Sequence, residues 1–341
     1  MGEHTSLALG RSFAVATICL ASYIDAGLSG ERHSSEDSLR TIETNGIHIA
    51  YDTLGGSRGE PILLISGLGM QLISWPDAFC KGLTSAGFRL VRFDNRDSGL
   101  SAKMDQAGKP DLQNAFFRSL FHLPMLSGYT LYDMAKDTVG LLDGLGIEKA
   151  HVVGASMGGM IAQIIAGMYP HRVLTLTSIM STSGRPGLPG PTLAVSNALL
   201  SRPQDPTSQD SVIDHFVHLF QVLGSPAYPT PPEELRQRVA TSVRRNPSAS
   251  GTLRQVLAVA ASGDQTALLS TIKVPTLVIH GTADPMVPVA CGRDIARLVP
   301  GAILQEIEGM GHDFPPALDY VLAGMIVSHC KGDFQPERRR A

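Results

Sequence analysis

The segment HVVGASMGGMIAQ, residues 151–163, restricts the fold of this chain more than any other. Apolar β-formers up to Val153 run into a cluster of glycines around one serine, and apolar residues then recur at helical spacing from Met157 to Tyr169. A serine between glycines is in most chains only a turn residue. A buried strand that turns sharply into a helix through Gly154-Ala155-Ser156-Met157-Gly158 is different, because small neighbours permit a strained backbone that projects the serine hydroxyl. Ser156 is therefore a candidate nucleophile.

Strands and helices alternate around this turn. LRTIETN and IHIAYDT read as paired strands from Leu39, PILLISG as a buried strand, Trp75 to Ala86 as a helix and FRLVRFD as the next buried strand. Residues 95–128 read as irregular, after which Thr130 can cap a helix to about Leu145. RVLTLTSI, VPTLVIHG and AILQEIE are further strands, with helices from Val289 to Leu298 and from Pro316 to His329. The expected fold class is α/β, a mostly parallel doubly wound sheet. The alternation breaks at STSGRPGLPGP, and Pro-rich turns separate short helices as far as Asp264. This predicts a core over 38–180 and 265–332, a helical cap over 181–264 inserted between two strands, an N-terminal extension over 1–37 and a tail over 333–341.

Ser156 needs a base within hydrogen-bond reach and an acid that fixes the tautomer of that base. His312, in GMGHDFPP, follows AILQEIE, and Asp284, in HGTADPMVP, follows VPTLVIHG, so both stand where strands end at the rim of the sheet. Taken singly, Asp284 before Pro285 is as readily a turn initiator and His312 a helix cap; three such residues in the order Ser, Asp, His make coincidence a poor explanation. Asp313 reads as an N-cap of the last helix. An oxyanion formed at Ser156 would need backbone N–H donors, expected at Met157 and at Leu68 in the compact Gly67-Leu68-Gly69 loop. That loop lacks the third glycine of a dinucleotide fingerprint, since Leu72 stands there.

A formal net charge of −3 offers no electrostatic ground for a nucleic-acid or anionic-membrane partner, and Arg338-Arg339-Arg340 reads as a solvated tail. Cys19, Cys80, Cys291 and Cys330 lack metal or redox spacing, and His215 with His218 lacks a third ligand, so no metal site is expected. The apolar stretch Ser12 to Ile24 is too short to span a bilayer as a helix. A cytoplasmic chain is expected, with export through a weak N-terminal signal as the alternative.

The set LLISGLG, FRLVRFDNRDSGLS, YTLYDMAKDTVGLLDGLGIEKAHVVGASMGG, VPTLVIHGTADPMVP and IEGMGHDFP resembles the α/β-hydrolase superfamily from about Leu39 to Cys330, excluding the cap. It is most similar to the branch of aclacinomycin methylesterases, 3-oxoadipate enol-lactonases and cofactor-free haloperoxidases. The resemblance implies Ser156 as nucleophile, Asp284 as orienter, His312 as base and acid, and no metal or organic cofactor. Serine at the elbow argues against haloalkane dehalogenase and epoxide hydrolase chemistry. Many relatives carry His-Gly where this chain has Ser66-Gly67, and Asp94 and Arg96 are assigned to loop structure. The expected activity is hydrolysis of a small-molecule ester or lactone through an acyl-enzyme; C–C bond hydrolysis, perhydrolysis and binding without turnover are the alternatives. Leu199, Leu200, Phe216, Leu219, Phe220, Val222 and Leu223 form an apolar cap face that can line the site, pack the cap onto the core, or do both.

Overall fold

A computed structural model describes residues 40–108, 110–121 and 123–334. The N-terminal extension, with Cys19, and the basic C-terminal cluster lie outside the described residues. Among the described residues eight strands form one sheet: β1 (Arg40–Thr44), β2 (Ile47–Leu54), β3 (Pro61–Ile65), β4 (Arg89–Phe93), β5 (Ala150–Ala155), β6 (Val173–Ile179), β7 (Thr276–Gly281) and β8 (Ile303–Ile307). Their order is β1-β2-β4-β3-β5-β6-β7-β8. β2 pairs antiparallel with β1 and with β4, and all other pairs are parallel.

The helices among these residues are α1 (Asp77–Ser85), α2 (Leu112–Leu120), α3 (Leu131–Gly144), α4 (Met157–Met168), α5 (Leu193–Leu200), α6 (Gln209–Leu223), α7 (Pro232–Arg245), α8 (Ala249–Ser262), α9 (Thr266–Leu269), α10 (Val289–Leu298) and α11 (Asp319–Cys330). They cover both faces of the sheet, which explains the continuous apolar runs of the central strands. In β3, Leu63 and Ile65 face the cluster built by Leu131, Met134, Leu142, Ile161 and Ile165, while Ile62 and Leu64 face Phe79, Leu83, Leu322 and Ile326.

Thr130 starts α3 in a reciprocal capping box with Asp133, as its sequence suggests. Three segments depart from the sequence reading. The stretch 95–128 contains α2, whose start is marked by the Asn114 N–H donating to Asp111 Oδ1 at 2.9 Å. The helix expected from Trp75 begins only at Asp77, because Pro76 holds an extended backbone as its cap. The last helix begins at Asp319 after a 3₁₀ turn, Pro316–Leu318.

The insertion after β6 is made of four helices, α5 to α8, and the short α9 follows it before β7. Where this insertion leaves and rejoins the core, the Gln265 N–H donates to Ser183 O at 2.9 Å, so its two ends are tied side by side. α8 lies over the loops that follow β3 and β4. Gln255 accepts from the Gly69 N–H at 2.8 Å and donates to Arg96 O at 2.8 Å, while Arg254 makes a two-point ion pair with the buried Asp97 at 2.7 and 2.9 Å. From α7, Arg245 pairs with Asp94 at 2.8 Å.

Candidate active site

The chain passes from β3 to β4 on one side and then crosses back to β5 on the other, so a crevice opens beyond the carboxyl ends of β3 and β5. Ser156 stands there, immediately after β5 and at the N-terminus of α4, with φ 54° and ψ −119°. This positive φ is unfavourable for a residue with a Cβ, and packing enforces it. A Cβ at Gly154 would lie 2.1 Å from Gly158 O, and one at Gly158 would lie 2.0 Å from Ile65 O. Only glycine lets the turn close against β3. The Ser156 N–H is anchored on Ile179 O at 2.9 Å, and the Ser181 hydroxyl donates to Ser156 O at 2.8 Å.

The loops after β7 and β8 bring the other two residues to the serine. His312 Nε2 is 3.1 Å from Ser156 Oγ, and His312 Nδ1 is 2.7 Å from Asp284 Oδ2. Asp284 Oδ1 accepts from the backbone N–H groups of Met286 at 2.9 Å and Val287 at 2.8 Å. Both carboxylate oxygens are thus occupied, and the imidazole carries its proton on Nδ1 with the Nε2 lone pair towards the serine. Burial pushes the Asp284 carboxyl up, but the His312 and His280 rings beside it outweigh that and hold it well below the usual carboxylate range.

His280, fully buried on β7, is a contributor that the sequence pattern does not single out. Its Nε2–H donates to Val287 O at 2.7 Å and faces Asp284 Oδ2 at 3.5 Å, so it supports the carboxylate from below. Asp313 does not cap the last helix. It accepts from the Ser225 hydroxyl at 2.5 Å, six residues before that helix starts.

A pocket opens over Ser156 with about 520 Å³ of empty space, part of it open to solvent. Leu68, Met157, Met160, Met286 and Val287 line it from the core, and Val256, Val259 and Ala260 line it from α8. Ser181 and Thr182 add the polar atoms besides Ser156. Leu68 follows β3 and Met157 follows β5, at the carboxyl ends of these neighbouring parallel strands, and a Cβ at Gly67 would be in van der Waals contact with Ser156 Cβ at 3.4 Å. The Gly69 N–H is already used by Gln255. Ser66 accepts at its carbonyl from Asn95 Nδ2 at 3.1 Å, which braces this loop without a histidine.

The apolar face expected from α5 and α6 mainly packs the cap. Leu199, Leu223, Leu219, Phe220 and Val222 cluster with Met286 and Cys291, Phe216 packs towards α7, and Leu200 is exposed. Asp94 accepts from the Leu72 N–H at 2.7 Å and the Leu100 N–H at 2.8 Å, and Arg96 pairs with Asp137 at 2.6 Å. Among the described residues no third histidine, cysteine or carboxylate joins His215 and His218 in a metal-binding group, and no helix is long and apolar enough to cross a membrane.

A family model described as the alpha/beta hydrolase fold matches residues 60–315. The chain belongs to the α/β-hydrolase fold family. Rhodomycin D methylesterase of Streptomyces peucetius is 28% identical over 309 residues, which span 86% of this chain and 98% of that enzyme. The crystal structure of the enol-lactonase from Burkholderia xenovorans LB400 superposes with a TM-score of 0.64 at 23% identity, over 86% of this chain and 100% of the other. A meta-cleavage product hydrolase from Pseudomonas fluorescens IP01 superposes with a TM-score of 0.66 at 20% identity, over 86% and 98% of the two chains. At those identities the two superpositions speak for the fold alone. Curated relatives of this α/β hydrolase include methylesterases and a putative carbamate hydrolase, alongside a putative non-heme bromoperoxidase and an acetyltransferase component.

Proposed function

We propose that this α/β hydrolase is a serine hydrolase that cleaves a small-molecule carboxylic ester or lactone through an acyl-enzyme. The observation that carries the reading is the line of hydrogen-bond distances from Asp284 through His312 to Ser156 Oγ, on the floor of an apolar pocket. Ser156 Oγ attacks the ester carbonyl as its proton passes to His312 Nε2, and Asp284 stabilises the imidazolium. The backbone N–H groups of Leu68 and Met157 receive the oxyanion. When the tetrahedral adduct collapses, the C–O bond to the alcohol breaks and Nε2 returns the proton to the departing oxygen. Water then gives a proton to His312 Nε2 as its oxygen attacks the acyl carbonyl, and the second adduct collapses by breaking the bond to Ser156 Oγ, which takes that proton back as the acid leaves.

The reaction uses only groups of the chain, water and substrate. The pocket walls favour a moderately bulky, largely apolar acyl part, and the covering helices favour a small alcohol such as methanol or the closed ring of a lactone. The similarity to a methylesterase supports the same choice. The test is kcat/KM across methyl, butyl and long-chain esters of one bulky acid, a lactone and an emulsified triglyceride, for the wild type and Ser156→Ala. Methyl esters or lactones should lead, with Ser156→Ala losing on the order of 10⁴ to 10⁶ in kcat while remaining folded. Preference for the triglyceride, or activity of Ser156→Ala within tenfold of wild type, would overturn the reading.

A further inference from the structure

The loop that carries His312 is held on one side by the sheet and on the other by the cap. After α6 the chain runs through Gly224, Ser225 and Ala227 alongside residues 309–313. The His312 N–H donates to Leu223 O at 2.8 Å, which satisfies one of the carbonyls left open at the end of α6. The Gly311 N–H donates to Ser225 Oγ at 2.8 Å, the Ser225 hydroxyl donates to Asp313 Oδ1 at 2.5 Å, and the Ala227 N–H donates to Gly309 O at 3.2 Å. The two segments lie so close that a Cβ at Gly311 would be 2.5 Å from Gly224 O. Residues 311, 312 and 313 are therefore each tied to Leu223 or Ser225. Ser225 is buried, and its single hydroxyl acts as acceptor on one side of the histidine and donor on the other.

These contacts do not serve the stability of the cap alone, because their geometry converges on one imidazole. His312 Nε2 must stay within reach of both Ser156 Oγ and a leaving oxygen, and a displacement of about 1 Å is enough to cost on the order of 10²-fold in rate. Burial pushes the Asp313 carboxyl up, while the Ser225 hydroxyl and N–H pull it down, so the side chain depends on Ser225 for its partners. We propose that Ser225 is a positioning residue for His312, and that through it the end of cap helix α6 sets where the base stands. This rests on the hydrolase reading above.

The experiment compares kcat/KM for a methyl ester and a p-nitrophenyl ester of the same acid, in the wild type, Ser225→Ala, Asp313→Asn and Asp313→Ala. An alkoxide leaves only with a proton from His312, whereas p-nitrophenolate leaves without one, so a misplaced imidazole penalises the methyl ester more. A smaller folded fraction scales both rates equally and leaves their ratio unchanged. Ser225→Ala is expected to lose about 10²-fold on the methyl ester and about tenfold on the p-nitrophenyl ester. Asp313→Asn keeps an acceptor for the Ser225 hydroxyl and should stay within about threefold of wild type, while Asp313→Ala should follow Ser225→Ala. If Ser225→Ala does not fold, the two Asp313 variants carry the same contrast. An unchanged ester ratio in an otherwise active Ser225→Ala or Asp313→Ala overturns the proposal and leaves the hydrolase reading standing. A wild type without turnover of either ester overturns that reading, and the proposal with it.

Discussion

Replacing Asp284 by asparagine reverses the tautomer of His312 and removes the negative charge behind it while keeping the shape of the side chain. The two backbone N–H groups at 2.9 and 2.8 Å on Oδ1 require an acceptor, so the amide oxygen of the introduced asparagine must take that position and its NH₂ must take the place of Oδ2. The NH₂ then points at His312 Nδ1, only 2.7 Å away in the native geometry, where the native bond needs an acceptor. His312 relieves the clash by moving its proton to Nε2, and an Nε2–H cannot take the proton of Ser156. Restoring the productive tautomer costs the charge-assisted bond, about 2 to 3 kcal/mol, and leaves facing donors unpaired, about 2 to 3 kcal/mol more. A total near 5 kcal/mol corresponds to a fall of about 10⁴ in kcat. Because both backbone bonds survive, the urea midpoint should move little. Steady-state hydrolysis of a p-nitrophenyl ester, with urea unfolding followed by circular dichroism, reads both quantities. Activity of Asp284→Asn within tenfold of wild type would mean that another carboxylate orients the histidine.

Three further outcomes concern stability. Burial pushes the Asp319 carboxyl up to about 6, against the pull of Arg238, so the folded chain keeps this proton up to about pH 6 while the unfolded chain releases it near pH 4. That contribution to stability is present below pH 4 and is lost as pH rises through 6; Asp319→Asn should therefore gain about 1 to 2 kcal/mol on wild type between pH 4 and pH 8, and a pH-independent difference in urea unfolding would refute it. Arg254→Met leaves the buried Asp97 carboxylate with only the Tyr129 hydroxyl and the Met104 N–H, and should cost about 3 kcal/mol, much of it recovered in the double variant with Asp97→Asn, an uncharged acceptor that tolerates the positive φ of 68° there. Full additivity in that cycle would show that the two side chains do not interact. Gly158→Ala drives a Cβ to 2.0 Å from Ile65 O and should remove activity and several kcal/mol of stability together, whereas a fully active, wild-type-stable variant would contradict the elbow geometry.

The succession of strands and the family of the core are legible because they rest on local signals. β3 is a continuous apolar run, Thr130 and Asp133 form a cap signature three positions apart, and the glycines at 154 and 158 mark the turn. The candidate triad is legible as residue types in an order, each just after a strand. The supports of that triad are not, because they join residues far apart in sequence. Ser225 meets Asp313 across 88 positions and Gln255 meets Gly69 across 186, and no periodicity encodes such pairs. Asp313 reads as a cap because it precedes a Pro-rich helix start, where aspartate commonly serves. α2 is hidden for a different reason: it is a short aromatic helix between Pro110 and Pro124, and only Asp111 signals its beginning.

The hydrogen bond between Gln265 and Ser183 makes the cap a loop with closed ends. The sheet sees the insertion only as a short bridge from β6 to β7, whatever lies beyond that tie. Chain-closure entropy grows only logarithmically with loop length, so tens of residues can be added to the loops between the cap helices for roughly 1 kcal/mol where the α7 and α8 contacts to the core are kept. The nucleophile turn is built on the other side of it, while the Asp284 loop meets the insertion through the Thr192 N–H on Pro285 O at 2.9 Å and through Met286. The Leu223 to Ala227 strap reaches back to the His312 loop, and from α7 Arg238 donates to Phe314 O at 3.1 Å. A chimera that exchanges residues between the tie points while preserving that strap and the bonds of Arg245, Arg254 and Gln255 to the loops after β3 and β4 would acquire a different acyl pocket over the same three side chains, which makes the insertion a unit that recombination can trade between hydrolases of this fold.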